Sequence, residues 1–213
     1  MKIFVAIPAY DCKLHVGTAL SLAAEMTLAT GVGFKMTPCV QPGMALVHSA
    51  RNLLVQKFLE SDHDVLVFVD ADCGWQPGAI LNLIMHRKEI VAGACRRRRE
   101  PEDYAMTFLP DRTQRDGLIE VEAIGTAFMA ISRSALTKFE MATPERAYVA
   151  DGQKLHGYFD SPVRDGMLIG EDVSFCQAWR AIGGKIYVDP SITLQHLEGM
   201  TTYEGNLAKW LNL

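Results

Sequence analysis

Two pairs of acidic residues in this sequence are candidates for chemistry, and the first pair is Asp70 and Asp72, directly after the apolar run 65–69. In an extended segment, side chains two residues apart point the same way, so the two carboxylates can converge on one small volume. Two like charges so close repel each other unless a cation lies between them or one is protonated. Hard divalent ions bind carboxylate and phosphate oxygens together, so the pair predicts a metal-assisted phosphate site. Alternatively, Asp72 caps the next turn and Asp70 accepts backbone hydrogen bonds.

The second pair is Glu171 and Asp172, which follow Gly170 at the start of a helix predicted over residues 171–182. One of these carboxylates could act as a general base that takes a proton from an attacking hydroxyl group. Acidic residues at a helix N-terminus are explained equally well by capping and by the helix dipole. The pattern alone leaves both interpretations open.

The first half of the chain alternates between strand and helix patterns that can position the first acidic pair. The predicted strands span residues 2–7, 34–40, 65–69 and 90–94, and the predicted helices span residues 16–29, 45–60 and 76–86. This alternation predicts an α/β fold with a mostly parallel sheet and helices on both faces. Ligands bind at the carboxyl ends of the strands in such sheets, which is where Asp70 and Asp72 lie.

The second half has shorter strand-like segments. They span residues 104–109, 118–124, 128–132, 186–188 and 192–195, and they predict a small antiparallel addition to the sheet. Residues 142–169 show no clear periodicity before the helix at 171–182. We expect this irregular stretch to be an acceptor loop or a lid, because long irregular segments inside compact domains are usually functional.

Composition narrows the class of protein. The 213 residues are 49% hydrophobic and 22% charged, which suits one globular domain. The net charge of −4 argues against a nucleic-acid partner, and the four arginines at 96–99 are too few to reverse that. The five cysteines are scattered without metal-site spacing, and no apolar run reaches the ~20 residues of a membrane span. We expect a soluble, cytoplasmic protein without a transmembrane segment, in the host cytoplasm if the source is viral or phage.

Several short motifs together resemble those of one enzyme family. They are Ile7-Pro8-Ala9-Tyr10, Ser49-Ala50-Arg51-Asn52, Phe68-Val69-Asp70-Ala71-Asp72 with Pro77, Gly125-Thr126-Ala127-Phe128-Met129, Gly170-Glu171-Asp172 continuing to Cys176, and a late His196. Each motif is weak alone, but their order and spacing resemble glycosyltransferases of the GT-A (nucleotide-diphospho-sugar transferase) fold. The chain looks most like the large inverting family 2 type, with its bacterial, phage and viral members.

The resemblance implies a role for each motif. It implies one domain over residues 1–213, with 1–95 as the nucleotide-binding half and 96–213 as the acceptor and catalytic half. Mn²⁺ or Mg²⁺ would be held by Asp72, Asp70 and His196, and Asp172 would be the general base while Glu171 orients the acceptor. The nucleotide-sugar site would comprise Pro8, Ala9, Tyr10, Asp11, Arg51, Asp70, Ala71, Asp72, Gly125 and Thr126.

The substrates follow from the same resemblance. The donor would be a UDP-sugar such as UDP-glucose, from which a hexose passes with inversion to a glycan, a lipid-linked sugar or a protein. A retaining transferase, a sugar-phosphate nucleotidyltransferase and a non-catalytic binding module are the alternatives. Two further points stay open: whether Arg51 is only a solvated helix residue, and whether one arginine of the run 96–99 reaches the diphosphate.

Overall fold

The structure is a computed structural model that describes residues 1–150 and 152–213. The strands are β1 (Lys2–Ala9), β2 (Lys35–Pro42), β3 (Val65–Val69), β4 (Cys73–Trp75), β5 (Ile90–Gly93), β6 (Met106–Phe108), β7 (Gln114–Arg115), β8 (Leu118–Ile124), β9 (Phe128–Ser132), β10 (Ala147–Ala150), β11 (Gln153–His156), β12 (Val163–Arg164), β13 (Met167–Leu168), β14 (Ile186–Asp189), β15 (Thr193–Glu198) and β16 (Thr201–Asn206). The helices are α1 (Val16–Gly31), α2 (Val47–Leu59), α3 (Ala79–Met85), α4 (Arg133–Ala142), α5 (Glu171–Ala181) and α6 (Leu207–Leu211), with a 3-10 turn at Pro144–Arg146.

A nine-stranded sheet forms the centre of the molecule, with most strands in the order β2-β1-β3-β9-β5-β14-β8-β6 and β7 paired to β8. From β2 to β14 every strand runs in the same direction except β9, which pairs antiparallel with both β3 and β5. Strands β6, β7 and β8 add antiparallel pairs at one side. The expected α/β class, with a mostly parallel sheet and a small antiparallel addition, is confirmed.

Strand β3 is apolar throughout because helices cover both faces of the sheet. Leu66 and Phe68 pack into the core on the side of α2, α4 and α5. Val67 and Val69 point to the opposite core, which α1 and α3 cover. In the sequence, a strand buried on both faces is a continuous hydrophobic run and not an alternation of apolar and polar residues. Residues 65–69 form such a run.

The expectation of an irregular stretch at 142–169 is wrong for much of its length. It contains two antiparallel hairpins, β10–β11 and β12–β13. The second hairpin turns at Asp165 and Gly166, whose φ values are 50° and 75°. An Asp-Gly pair favours this tight turn, so the sequence carried a hairpin signal there.

Helix α4 was also missed. Ser132 ends strand β9, and its hydroxyl accepts a hydrogen bond from Ala135 N at 3.1 Å, which caps the helix. Of the helices in the described part of the chain, none is long and apolar enough to cross a membrane. The central sheet takes strands from both halves of the chain, and the assignment of residues 1–95 and 96–213 to nucleotide and acceptor stays a prediction.

Candidate active site

The candidate site lies where the parallel strands β1, β3 and β5 end. Asp70 follows β3 directly, and its backbone N–H donates to Ala127 O at 3.0 Å. This bond ties Asp70 to the segment that leads into the antiparallel strand β9. The topology therefore brings the loop after β1, the first acidic pair and residues 125–127 to one edge of the sheet, as expected for ligand sites in open α/β sheets.

A cavity of about 650 Å³ opens at this edge. Of the residues that the sequence assigned to the nucleotide-sugar site, eight line it: Pro8, Ala9, Tyr10, Asp11, Arg51, Asp70, Ala71 and Asp72. Tyr10 is 71% exposed at the cavity wall, so its ring is free to contact a planar ligand. The size and the polar floor suit a ligand much larger than a single sugar.

A second cavity of about 180 Å³ adjoins the first, because Arg51 and Asp70 line both. The other predicted site residues are found here: Gly125, Thr126, Glu171, Asp172 and His196. A Cβ atom on Gly125 would lie 3.4 Å from Asp172 Oδ2, so glycine keeps the space beside that carboxylate open. The predicted site residues thus divide between two neighbouring chambers.

Arg51 lies between the two cavities and lines both of them. Its side chain is 4% exposed, and its guanidinium donates to Asp70 Oδ1 at 2.9 Å and to Glu171 Oε1. This burial excludes the alternative that Arg51 is a solvated helix residue. The planar guanidinium can serve two carboxylates at once, which fixes the first acidic pair relative to the second.

Asp72 faces two groups through one oxygen atom. Its Oδ2 accepts from Arg98 and lies 3.8 Å from His196 Nε2. His196 reaches this position because β15 pairs antiparallel with β4, with His196 opposite Cys73, and because Leu197 N donates to Asp72 O at 2.8 Å. Of the arginine run 96–99, Arg98 reaches the acidic pair, and a contact of this run with a diphosphate stays a prediction.

The histidine is oriented for use as a ligand. His196 Nδ1 lies 2.9 Å from Arg96 O, a carbonyl that only accepts, so Nδ1 carries the hydrogen. Nε2 is the ring nitrogen that lies near Asp72 Oδ2, and a histidine oriented by an Nδ1–H bond to a backbone carbonyl is typical of metal ligands. A carboxylate oxygen and an imidazole nitrogen suit Mn²⁺.

These two donors do not make a complete metal site. Within residues 1–150 and 152–213, no group of three or more His, Cys, Asp or Glu side chains is arranged to hold a metal ion. Asp70 is the third predicted ligand, and its Oδ1 already accepts a hydrogen bond from Arg51. The residues present fit an ion whose remaining ligands come from a bound diphosphate and water, as is usual for phosphate-binding divalent ions.

Burial changes the acidity of one carboxyl group in each pair. Burial and the nearby charge of Asp70 raise the pKa of Asp72, although Arg98 and His196 oppose this shift. Burial and the nearby Glu171 raise the pKa of Asp172. Perturbed carboxyl groups that face a cleft are typical of functional sites.

The capping interpretation of Asp172 has partial support. Asp172 Oδ1 accepts from Val173 N at 2.7 Å, within the first turn of α5. Its Oδ2, the atom near Gly125, faces the smaller cavity. The side chain therefore supports the helix start and also presents an oxygen to the site.

Comparison with known proteins shows the fold. No protein-family model and no curated protein matches the sequence. The crystal structure of A197 from STIV matches it with a TM-score of 0.58 and 18% identity, over 92% of this chain and 85% of that one. This similarity shows a shared fold.

Two other solved structures are similar at lower scores. GalNAc-T7 with UDP, GalNAc and Mn²⁺ gives a TM-score of 0.49 at 12% identity, over 93% of this chain but only 44% of that one. A glycosyltransferase involved in the glycosylation of the major capsid of PBCV-1 gives 0.37 at 10% identity, over 64% and 63% of the two chains. These scores are too low to carry a conclusion about this chain.

Sequence reasoning missed several residues of the site. Lys13 and His15 line the larger cavity, and His15 also caps α1 by accepting from Gly17 N at 3.1 Å. Their signal was the loop after β1, which the sequence placed at the ligand edge. Asn52, the last residue of the Ser49–Asn52 motif, is buried; its Nδ2 donates to Phe159 O and its Oδ1 accepts from Phe159 N, both at 2.9 Å. It anchors the segment that precedes α5.

Proposed function

We propose that this chain is a glycosyltransferase that takes a sugar from a nucleotide diphosphate donor. The observation that carries the proposal is the pair of adjoining cavities that share Arg51 and Asp70. The larger one has the size for a nucleotide, and the smaller one has room for one sugar ring beside Asp172. In this proposal, the bond between diphosphate and sugar would lie beside Arg51 and Asp70, which line both cavities.

The donor is a UDP-sugar carrying a hexose in this proposal. Tyr10 and Asp11, at the end of β1, would contact the base, and Ala71 and Asp72 would lie beside the diphosphate. Gly125 and Thr126, which line the smaller cavity, would lie against the sugar. UDP is favoured over other nucleotides by the sequence resemblance alone, so the identity of the donor needs a direct binding experiment.

Asp72 and His196 would hold Mn²⁺ or Mg²⁺ together with oxygens of the diphosphate. The bound ion would offset the negative charge that develops on the departing nucleotide. Arg51 pairs with both Asp70 and Glu171 and keeps them in place. Its role in this proposal is to position both acidic pairs.

Asp172 would be the general base. A carboxylate whose pKa is raised takes a proton more readily, and Asp172 Oδ2 faces the smaller cavity, where an acceptor hydroxyl would approach. Attack on the sugar carbon opposite the leaving diphosphate would invert its configuration. The acceptor is a hydroxyl of a glycan, a lipid-linked sugar or a protein.

Calorimetric titration tests the donor and the metal together. UDP, UDP-glucose and GDP-mannose are titrated in Mn²⁺ and in EDTA into wild type, Asp72→Ala and the control Asp62→Ala, whose carboxylate is exposed and pairs with Lys2. We expect Mn²⁺-dependent binding of one nucleotide that weakens about tenfold or more in Asp72→Ala and is unchanged in the control. A folded wild type that binds no nucleotide under either condition would refute the proposal.

A further inference from the structure

The carboxylate of Asp72 is already paired with a cationic side chain of the protein itself. Arg98 donates to Asp72 Oδ2, the same oxygen that lies 3.8 Å from His196 Nε2. An oxygen paired with a guanidinium is a poorer ligand for a divalent ion, because the two cations compete for it and repel each other. The candidate metal position and the position of Arg98 therefore exclude each other at this atom.

Backbone hydrogen bonds hold the loop around Arg98, whereas its side chain is held through the ion pairs of its guanidinium group. Arg97 N donates to Asp103 O at 2.8 Å and Arg99 N donates to Arg97 O at 2.9 Å, which closes the loop on itself. Arg96 O accepts from His196, so the same loop also positions the histidine. The Arg98 side chain is 31% exposed, and its second guanidinium nitrogen lies 3.8 Å from Glu198 Oε1. A long, partly exposed side chain on a fixed loop can exchange partners without a change in the fold.

We propose that Arg98 is an exchangeable counter-cation of this site, which neutralises Asp72 in the free protein and transfers to the diphosphate when a divalent ion takes Asp72. The inference rests on the proposed function, since it assumes a nucleotide diphosphate as the ligand. A guanidinium binds phosphate oxygens through two parallel hydrogen bonds, so the diphosphate is a better partner than the single carboxylate oxygen.

One consequence is a coupling between metal and nucleotide. The ion alone must displace Arg98 and bind weakly, whereas the ion together with the diphosphate gives the displaced guanidinium a new partner. Each ligand then strengthens the binding of the other by the same factor.

The experiment uses Arg98→Met, which keeps the length of the side chain and removes its charge. Calorimetry measures Mn²⁺ alone, UDP in EDTA, and UDP in Mn²⁺. We expect Mn²⁺ alone to bind about three- to tenfold more tightly than to wild type, since a competing ion pair is gone. We expect UDP in Mn²⁺ to bind about tenfold or more weakly, since a charged phosphate contact is lost, and UDP in EDTA to change less, because without the ion Arg98 stays on Asp72.

Two further variants complete the design. Arg99→Met is the matched control, because Arg99 belongs to the same loop but pairs with Asp103 at the surface. Arg98→Lys keeps the charge without the two-pronged geometry, so we expect Mn²⁺ affinity to stay at the wild-type level while UDP binding weakens. If Arg98→Met does not fold, Arg98→Lys against Arg99→Met still tests the diphosphate contact.

The outcomes separate this inference from the proposed function. A wild type that binds Mn²⁺ and UDP, with Arg98→Met behaving like Arg99→Met in both titrations, would overturn the exchange and leave the glycosyltransferase proposal standing. In Arg98→Met, weaker UDP binding without a gain in Mn²⁺ affinity would also overturn it, because Arg98 would then be only a phosphate contact. A folded wild type that binds neither ligand would remove the proposed function itself.

Discussion

Replacing Arg51 by methionine should destabilise the protein far more than the loss of an ordinary ion pair. The guanidinium is 5% exposed and bridges Asp70 and Glu171, whose side chains are 31% and 18% exposed. Arg51→Met keeps the aliphatic length that packs near Phe68. It leaves two carboxylates facing each other across a partly buried wall without a cation.

The magnitude follows from the burial of the three groups. Removing one partner of a fully buried pair costs about 3–5 kcal/mol. Both carboxylates keep some contact with water, so we expect less than this range, about 2–3 kcal/mol of unfolding free energy. The triple variant Arg51→Met with Asp70→Asn and Glu171→Gln removes the unpaired charges as well. We expect it to recover to within about 1 kcal/mol of wild type.

Urea denaturation at pH 7, followed by circular dichroism, measures these differences. The matched control is Arg180→Met, because Arg180 forms a single, more exposed pair with Glu120 and should cost only about 0.5–1 kcal/mol. A cost for Arg51→Met no larger than this control would refute the interpretation of Arg51 as a bridge. A triple variant as unstable as the single variant would show that the cost comes from packing and not from charge.

Two further predictions concern Asp172 as the general base and Arg133 at the end of α2. Asp172→Asn should lower the transfer rate by about 100-fold or more, and it should also stabilise the protein by about 1 kcal/mol at pH 7. The sign follows from the raised pKa of Asp172. The stability that the protonated Asp172 carboxyl group contributes to the wild type is lost as the pH rises through its folded-state pKa. The gain in stability of the variant should therefore vanish near and below the ordinary pKa value of 3.8. Thermal unfolding against pH measures this, and a wild-type transfer rate in the variant would exclude Asp172 as the base. Arg133→Met should lower the free energy of unfolding by about 2–3 kcal/mol, because Arg133 donates to four carbonyl groups at the end of α2, those of Phe58, Leu59, Ser61 and His63. Arg133→Lys should recover only part of this loss in the same urea assay. Full recovery would show that charge alone matters.

The elements that depend on local pattern were predictable. Strand β3 was assigned with its observed bounds because an apolar β-branched run of five residues has few other solutions. The position of Asp70 at the ligand edge followed from the parallel order of the strands, which sequence rhythm predicts. The hairpin β12–β13 was missed although its Asp-Gly turn was readable, because neither strand exceeds two residues.

The pairings that assemble the site depend on contacts far apart in the chain and were not predictable from local pattern; the family resemblance alone brought His196 to Asp72. His196 faces Asp72 because β15 pairs with β4, a three-residue strand without a periodic signal of its own. Arg51 was placed on a polar helix face because its partners Asp70 and Glu171 lie 19 and 120 residues away. A charged residue on a helix reads as solvated until a buried partner is known.

The distribution of arginines separates the four carboxylates of the site by role. Asp70 and Glu171 share Arg51, and Asp72 holds Arg98. In the part of the chain that the structure describes, Asp172 forms no salt bridge, and its pKa is raised by burial and by Glu171. An arginine partner occupies an oxygen of the carboxylate, so that this oxygen is less free to accept a proton from a substrate. The three paired carboxylates therefore suit positioning and cation binding, and the carboxylate left without an arginine is the one best suited to take a proton from an acceptor hydroxyl.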